Sequence, residues 1–405
     1  MNSLKPRAAL LYQFFHPDDV VSARHYADFA EGLRDRGWEV HVWTSNRACR
    51  DDSIQYSRTE NWRGIHIHRI RKPRFKPGSN LGRLVSIIWM ITAWTLALGR
   101  PRRDYPDVIV IGTDPPLSIF TAFTIRLFRP SARVAHWCFD LFPEAAVADG
   151  MIAAHSRVEH LLKKFARAAY HNVALLADLG PCMRRRLRSY GHRAAEVTLV
   201  PWALVEPNRP NPPDPAVRTK LFGDASLSLL YSGNFGRAHA HQGFLELARM
   251  LRADNVTFAF GMSGNRADYV KESVQAADVN IRVLGFAPES ELEARLSSAD
   301  IHLVSLRSEW EGIVVPSKFF GSLAAGRPVL FDGPEASSIA QWIREYQVGW
   351  VLTPESMESV AAELRTLASS KDHLHEMQQR CHAVYQKEFS KRVTLDRWDQ
   401  ALRRL

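Results

Sequence analysis

The chain has 405 residues, 46% of them hydrophobic and 24% charged, which excludes a disordered or fibrous protein and leaves room for two or three globular domains. Its net charge is +10, yet no nucleic-acid module signature accompanies the excess, so no nucleic-acid partner is expected. The four cysteines (Cys49, Cys138, Cys182 and Cys381) stand far apart and form no CxxC, so they offer neither a zinc nor a redox motif. The first eight residues hold Asn2, Ser3, Lys5 and Arg7 and no long apolar run, so no secretory signal and a reducing, cytoplasmic compartment are expected.

In chain order, short apolar runs alternate with helical patterns. Residues 8–14 predict a strand, 20–37 an amphipathic helix ending at Gly37, and 38–44 a second strand, which together make a βαβ unit. His16, Asp18 and Arg24 follow the first strand. They could hold a phosphate, and they read equally as a plain βα loop. Basic residues cluster at 69–76, 100–103 and 184–188. Such clusters suit anionic lipid or a phosphorylated substrate, or are simply solvated faces.

Residues 84–98 carry no charge. As a helix they would span about 22 Å, short of a roughly 30 Å hydrocarbon core. They predict either a core helix on a sheet or a helix whose Trp89 and Trp94 lie in a membrane interface. Further strands are predicted at 107–112, 133–139, 172–177 and 196–201, with helices at 117–128, 156–169 and 180–190.

Residues 205–215 contain five prolines in "VEPNRPNPPDP" and read as a linker, because proline neither continues a helix nor donates to a ladder. A second βα series follows, with strands at 227–233, 256–261, 281–286, 300–305, 327–333 and 349–353. The expected organisation is an N-terminal Rossmann-like domain at 1–204, a linker at 205–216 and a second Rossmann-like domain at 217–385. A C-terminal helix at 386–405 could cross back to the first domain. Ligands of such sheets bind beyond the carboxyl ends of the strands, so the cleft between two such domains is the expected site.

Two stretches carry chemistry. In "YSGNFGRAH" (231–239) a strand ends in Gly233 and Gly236, which let backbone approach an anion, and Arg237 can pair with phosphate. In "EWEGIVVPSKFFGSLAAGRPVL" (309–330) Glu311 and Gly312 lie in the loop after a strand, and Pro316 opens a helix with Lys318 in its first turn. A lysine there opposes the helix dipole unless an anion sits beside it. Glu311 could accept hydrogen bonds from hydroxyls. A diphosphate with a polyol next to it describes a nucleotide sugar; an ordinary βα loop is the alternative.

These residues resemble the GT-B glycosyltransferases of family 4, in particular the WbuB-like branch of bacterial surface-polysaccharide enzymes. Residues 14–33, "TDPPL" (113–117), "HWCFDLFPE" (136–144), "SGNFGRAH" and "VVPSKFFGSLAAGRP" follow the branch in order along nearly the whole chain. The resemblance implies an α/β GT-B fold of two Rossmann-like domains facing across a cleft. It implies retaining transfer of a sugar from a nucleotide sugar, a UDP-sugar by branch, to a polyprenyl-diphosphate-linked saccharide. That places the enzyme peripherally on the inner face of the cytoplasmic membrane, with no cofactor and no metal.

Residue by residue, Glu311 matches the first glutamate of the family's E-x7-E motif, which contacts the donor sugar. Gly312, Ile313 and Val314 would pass close to sugar and diphosphate. Gly233 and Gly236 match the glycine loop, and Arg237 matches the residue that holds the diphosphate. The base would sit near Phe286 and Leu292. Asp140 matches the acidic residue of the N-terminal domain, and with Glu311 it makes the expected catalytic pair; a helix N-cap or turn aspartate before Pro143 is its alternative reading.

The sequence departs from the family in three places. Phe319 stands where the second glutamate belongs. The lysine after the arginine is replaced by His239 and His241, with Lys318 able to supply the charge from the other loop. Phe139 replaces the usual histidine, with His136 three residues earlier as a further acceptor-binding candidate and His25 expected to be structural. Two other functions remain compatible with the same architecture: a UDP-GlcNAc 2-epimerase and a non-catalytic sugar-nucleotide-binding partner.

Overall fold

The computed structural model describes residues 5–73, 80–100, 105–286 and 288–405. Of the basic clusters, Arg74, Lys76, Arg102 and Arg103 lie outside the described residues. The chain divides into two compact units, Met1–Val200 with Thr394–Leu405, and Pro201–Val393.

The first unit runs β1 (Arg7–Leu11), α1 (Val21–Asp35), β2 (Glu39–Ser45), β3 (Thr59–Trp62), β4 (Ile65–Ile70), α2 (Asn80–Gly99), β5 (Val108–Ile111), α3 (Phe120–Phe128), β6 (Val134–Trp137), α4 (Glu144–Ala148), α5 (Arg157–Tyr170), β7 (Leu175–Asp178), α6 (Pro181–Arg188) and β8 (Ala195–Thr198). Among the described residues these strands form one eight-stranded sheet in the order β3-β4-β2-β1-β5-β6-β7-β8. All neighbours are parallel except β3 and β4. The central strands are apolar throughout because helices cover both faces: Ala8 to Leu11 and Val108 to Ile111 are buried. The order reverses between β1 and β5, the kind of place beyond the strand ends where sheets of this class take their ligands.

The hairpin β3–β4 is absent from the expected elements. Its two-residue loop, Arg63-Gly64, has φ of 51° and 82°, the backbone of a type I′ turn without the asparagine that usually announces one. It also corrects the reading of the basic clusters. Arg69 is buried, pairs with Glu60 at 2.7 Å, and donates to the carbonyls of Ser57 and His16. In the 184–188 cluster, Arg184 pairs with buried Asp178 at 2.7 Å and Arg188 with Glu196 at 2.6 Å. These arginines are partnered structural groups rather than a free cationic field.

Helix α2 is five residues longer than the uncharged 84–98 run, and its stretch Leu81–Gly99 is long and apolar enough to cross a membrane by length and composition, with one third of that window buried. Its inner face, with Met90, Trp94 and Leu98, is core; its outer face exposes Leu81, Leu84, Ile88, Trp89 and Leu96. Trp94 is therefore a core residue, and only Trp89 of the expected pair meets solvent.

The second unit runs α7 (Pro215–Phe222), β9 (Leu227–Asn234), α8 (Gln242–Met250), β10 (Val256–Ser263), α9 (Ala267–Ser273), β11 (Ile281–Leu284), α10 (Leu292–Ser297), β12 (Ile301–Ser305), α11 (Lys318–Ala324), β13 (Val329–Asp332), α12 (Ser338–Tyr346), β14 (Gly349–Leu352), α13 (Met357–Ser369) and α14 (Asp372–Val384). Its parallel strands are ordered β11-β10-β9-β12-β13-β14, reversing between β9 and β12.

The proline-rich stretch is not a free linker. Asp214 caps α7 by accepting the N–H groups of Ala216 and Val217, and Pro215 takes the first helical position, where its missing N–H costs nothing. The Asn211 carbonyl accepts from buried Arg327 at 2.9 Å, and His382 reaches the Asn208 carbonyl at 3.2 Å. This stretch is packed into the second unit.

The chain ends in α15 (Lys391–Arg403). Its last residues belong to the first unit and lie on α1. Trp398 packs against Phe29 and Trp137 at ring separations of 4.8 and 5.3 Å, and Asp396 pairs with Arg36 at 2.6 Å. Leu395 fills the space beside Gly32 so closely that a Cβ there would lie 2.5 Å from its Cδ1.

Candidate active site

In the second unit the strand reversal brings the ends of β9 and β12 together, and the two expected loops meet there. Lys318, the first residue of α11, reaches back over the glycine loop. Its Nζ donates to the Asn234 carbonyl at 2.9 Å, lies 3.3 Å from His239 Nε2, and sits 5.1 Å from the Tyr231 ring centre. Gly233 has φ of 127°, and a Cβ on it would lie 2.9 Å from Lys318 Cε, so only glycine admits the lysine. His239 Nδ1 bonds to the Ser305 carbonyl at 2.9 Å. Burial drives its pKa down to about 3, so the ring is neutral; with Nδ1 as donor, Nε2 accepts from the ammonium. Burial also lowers Lys318 to about 8.

A second crossing joins the same loops. The Arg307 backbone N–H donates to the Ala238 carbonyl at 2.8 Å, and its Nη1 to the Arg237 carbonyl at 3.2 Å. The side chain of Arg237 is exposed, and Gly236 is half-buried beside it. Glu311 is half-buried, and Gly312 turns the chain with φ of 70°. Ile313 is only 2% exposed, so its side chain belongs to the core and only its backbone remains for a ligand. Val314 is half-buried; Phe286, just beyond β11, is 59% exposed. One residue escaped the sequence reading. Asp332, at the end of β13 and in register with Ser305, is pushed up to about 6 by burial and closes on Gly243. Its signal was an acid at a strand end directly before glycine.

In the first unit Asp140 lies beyond β6, and burial pushes it up to about 6. Asp114 lies beyond β5, at the strand reversal. Burial is the main cause of its rise to about 7; nearby Lys72 opposes it and the charge of Asp140 adds to it. Tyr12, stacked on Tyr26 at 4.0 Å, feels both carboxylates. Asp114 also escaped the reading, although "TDPPL" contains it.

The other first-unit candidates separate from this pair. His136 is 2% exposed, bonds the Ile111 carbonyl through Nδ1 at 2.9 Å, and is lowered to about 4 by burial. It is a neutral core histidine and not an acceptor-binding group. His16 stacks on Trp62 at 4.3 Å, and its pKa is lowered chiefly by burial. Asp18 accepts the Cys49 N–H at 3.0 Å and is raised chiefly by burial. Both hold loops in place. Arg24 is half-buried in the first turn of α1, and His25 is buried with Nδ1 on the Val21 carbonyl.

Comparison with known families matches residues 22–203 to the glycosyl transferase 4-like domain and residues 218–383 to glycosyl transferases group 1. The chain belongs to the GT-B glycosyltransferases of the family 4 type. It is 25% identical to the probable glycosyltransferase WbjE of Pseudomonas aeruginosa over 70% of this chain and 72% of that one. It is 26% identical to the putative colanic acid biosynthesis glycosyl transferase WcaI of Escherichia coli K12 over 87% and 89%. In fold, it resembles sucrose-phosphate synthase from Thermosynechococcus elongatus, with a TM-score of 0.73 at 14% identity over 99% of both chains. HepE of Anabaena, solved with UDP, gives 0.66 at 13% identity over 98% of this chain and all of that one.

The departures of this glycosyltransferase from its family now have a physical account. Phe319 is fully buried, 5.5 Å from Phe320, 5.8 Å from Trp342 and 6.1 Å from Phe389 by ring centres. The position of the second glutamate is part of an aromatic core. Phe139 packs on Trp137 at 4.5 Å, so the family's histidine position is also filled by ring packing. Lys318 occupies the ground between the glycine loop and the second loop.

Proposed function

We propose that this glycosyltransferase moves a sugar, with retention of anomeric configuration, from a UDP-sugar to a polyprenyl-diphosphate-linked saccharide in bacterial surface-polysaccharide synthesis. The observation that carries the reading is the Lys318 knot. Two of its three ammonium protons have acceptors in Asn234 and His239. The third remains for a diphosphate oxygen, and the ammonium is partly desolvated, which strengthens its attraction for an anion.

In this reading Lys318 and Arg237 hold the diphosphate, Glu311 accepts hydrogen bonds from sugar hydroxyls, and the backbone of Gly233, Gly236 and Gly312–Val314 lies along the donor. The bond between the sugar C1 and the diphosphate oxygen breaks, and its electron pair leaves with UDP. The acceptor oxygen bonds C1 from the same face, and its proton passes to the departing phosphate. Lys318 and Arg237 stabilise the charge that develops there. Asp140, ionised, orients the acceptor hydroxyl.

Two features support a lipid-linked acceptor at a membrane surface. A cavity of about 570 Å³ in the first unit is walled by Trp43, Trp89, Arg58 and Arg71, apolar rings with guanidinium groups, which suits an anionic amphiphile. Beside it, the outer face of α2 and the neighbouring helices exposes Leu84, Ile88, Phe128, Leu161 and Phe165, an apolar surface suited to the headgroup boundary. WcaI, named for colanic acid biosynthesis, WbjE, named as a probable glycosyltransferase, and HepE, solved with UDP, support the donor and pathway class.

The test is a panel of UDP-sugars with an N-acetylglucosaminyl-diphospho-polyprenol in vesicles. UDP release that requires the lipid, with an elongated product whose new linkage keeps the donor's anomeric configuration, is expected. An inverted linkage, or conversion of the donor without acceptor, would overturn the reading.

A further inference from the structure

A second cluster lies on the face of the first sheet at β2 and β4, and its His68 also borders the cavity walled by Trp43 and Trp89. Alternate strand residues share a face, so Glu39 and His41 of β2 point the same way, as do His66 and His68 of β4. Parallel pairing sets His41 opposite His66 and Trp43 opposite His68. The His41 ring stacks on His66 at 4.7 Å and on His68 at 5.4 Å. His41 Nε2 is 2.9 Å from Glu39 Oε1, and His41 Nδ1 is 3.1 Å from His68 Nε2. The other carboxylate oxygen, Glu39 Oε2, takes the Arg7 Nε–H at 2.9 Å. One donor atom each from Glu39, His41 and His66 fall within 4.8 Å of one another, and all three residues are half-buried.

We infer that Glu39, His41 and His66 form a binding site for a divalent transition metal of the zinc type, with His68 as the outer partner of His41. Two imidazoles and a carboxylate are the donor set that borderline ions such as Zn²⁺ take, whereas Mg²⁺ and Ca²⁺ prefer all-oxygen sets. Tetrahedral Zn²⁺ with bonds of about 2.0–2.2 Å needs ligand atoms roughly 3.4 Å apart, a contraction of at most about 1.4 Å from the 4.8 Å within which they lie, which side-chain torsions supply on a rigid sheet.

The hydrogen bonds fit that role. Without metal, His41 Nε2–H can donate to Glu39. The ion takes the place of that proton, and Nδ1–H then donates to His68 Nε2, the outer contact that ligating histidines regularly make. The fourth position stays open to water. Bound there, the ion would clip the β3–β4 hairpin onto the parallel core of the sheet, a stabilising role separate from the transfer chemistry.

The test uses full-length protein, free of affinity tag and stripped with EDTA, titrated with ZnCl2 by calorimetry and followed by thermal unfolding. One saturable Zn²⁺ per chain and a rise in Tm are expected. A His41→Ala/His66→Ala double variant should lose both, and His68→Ala should weaken binding roughly 10–100-fold. Absence of saturable binding in the wild type, or wild-type affinity in the folded double variant, would overturn the inference. If the double variant does not fold, Glu39→Gln and His66→Gln decide: wild-type affinity in both overturns it, and a loss in either supports it.

Discussion

Lys318 and Asp140 set opposite limits on pH. Lys318 must carry its charge to hold a diphosphate, and burial brings its pKa down to about 8, so the charged fraction falls as pH rises through 8. Asp140 must be ionised to orient a hydroxyl, and burial raises it to about 6, so its useful form is lost as pH falls through 6. The plot of kcat/KM against pH should therefore be a bell with limbs near these two values. Lys318→Arg keeps its charge at every accessible pH and should remove the alkaline limb, even if the larger group lowers the plateau. Asp140→Asn should remove the acid limb and cut the rate by roughly 10²–10⁴-fold. At this scale the sequence was partly legible. Glycines and charges at strand ends pointed to the two loops that meet at Lys318, because only the βα pattern is needed to place them. Neither the burial of His136 nor the aromatic surroundings of Phe319 could be read, because both depend on residues far along the chain, such as Tyr170 and Phe389. The paired histidines of "HIH" in β4 gave a signal at spacing two, and recognising it required β4 to be seen as a strand.

Among the elements, α2 was legible as a helix from its uncharged run, but which face it buries was not, because its residues are apolar on both sides. The structure divides it into an inner face with Trp94 and an outer face with Leu84 and Ile88. The two faces predict different losses. Leu84→Asp with Ile88→Asp should abolish sedimentation with anionic vesicles and change stability by about 0.5 kcal/mol or less per site. Trp94→Ala should lower unfolding stability by about 3–5 kcal/mol. Vesicle binding that survives the double aspartate variant would remove α2 from the membrane contact. The β3–β4 hairpin was hidden for a different reason: Arg63 and Gly64 make its turn without asparagine or aspartate, and Arg69 reads as a surface charge until Glu60 is seen beside it.

Over the whole molecule, two βα series separated by a proline-rich stretch were plain in the sequence, because alternating apolar runs and helices are repeated signals. The assignment of that stretch was not. Prolines signal a break, and only the capping by Asp214 and the reach of Arg327 show the segment packed into the second unit. The last twelve residues complete the first unit through Trp398, so Trp398→Ala should destabilise that unit by about 3–5 kcal/mol and expose α1 to proteolysis while the second unit stays resistant. The central claim, that the knot at Lys318 grips a nucleotide diphosphate, is tested most directly by calorimetric titration of UDP into the wild type and folded Lys318→Ala. Saturable binding that weakens about 100-fold in the variant, the ~2.7 kcal/mol of one charge-assisted contact, is predicted. Equal affinity in the two proteins would contradict it.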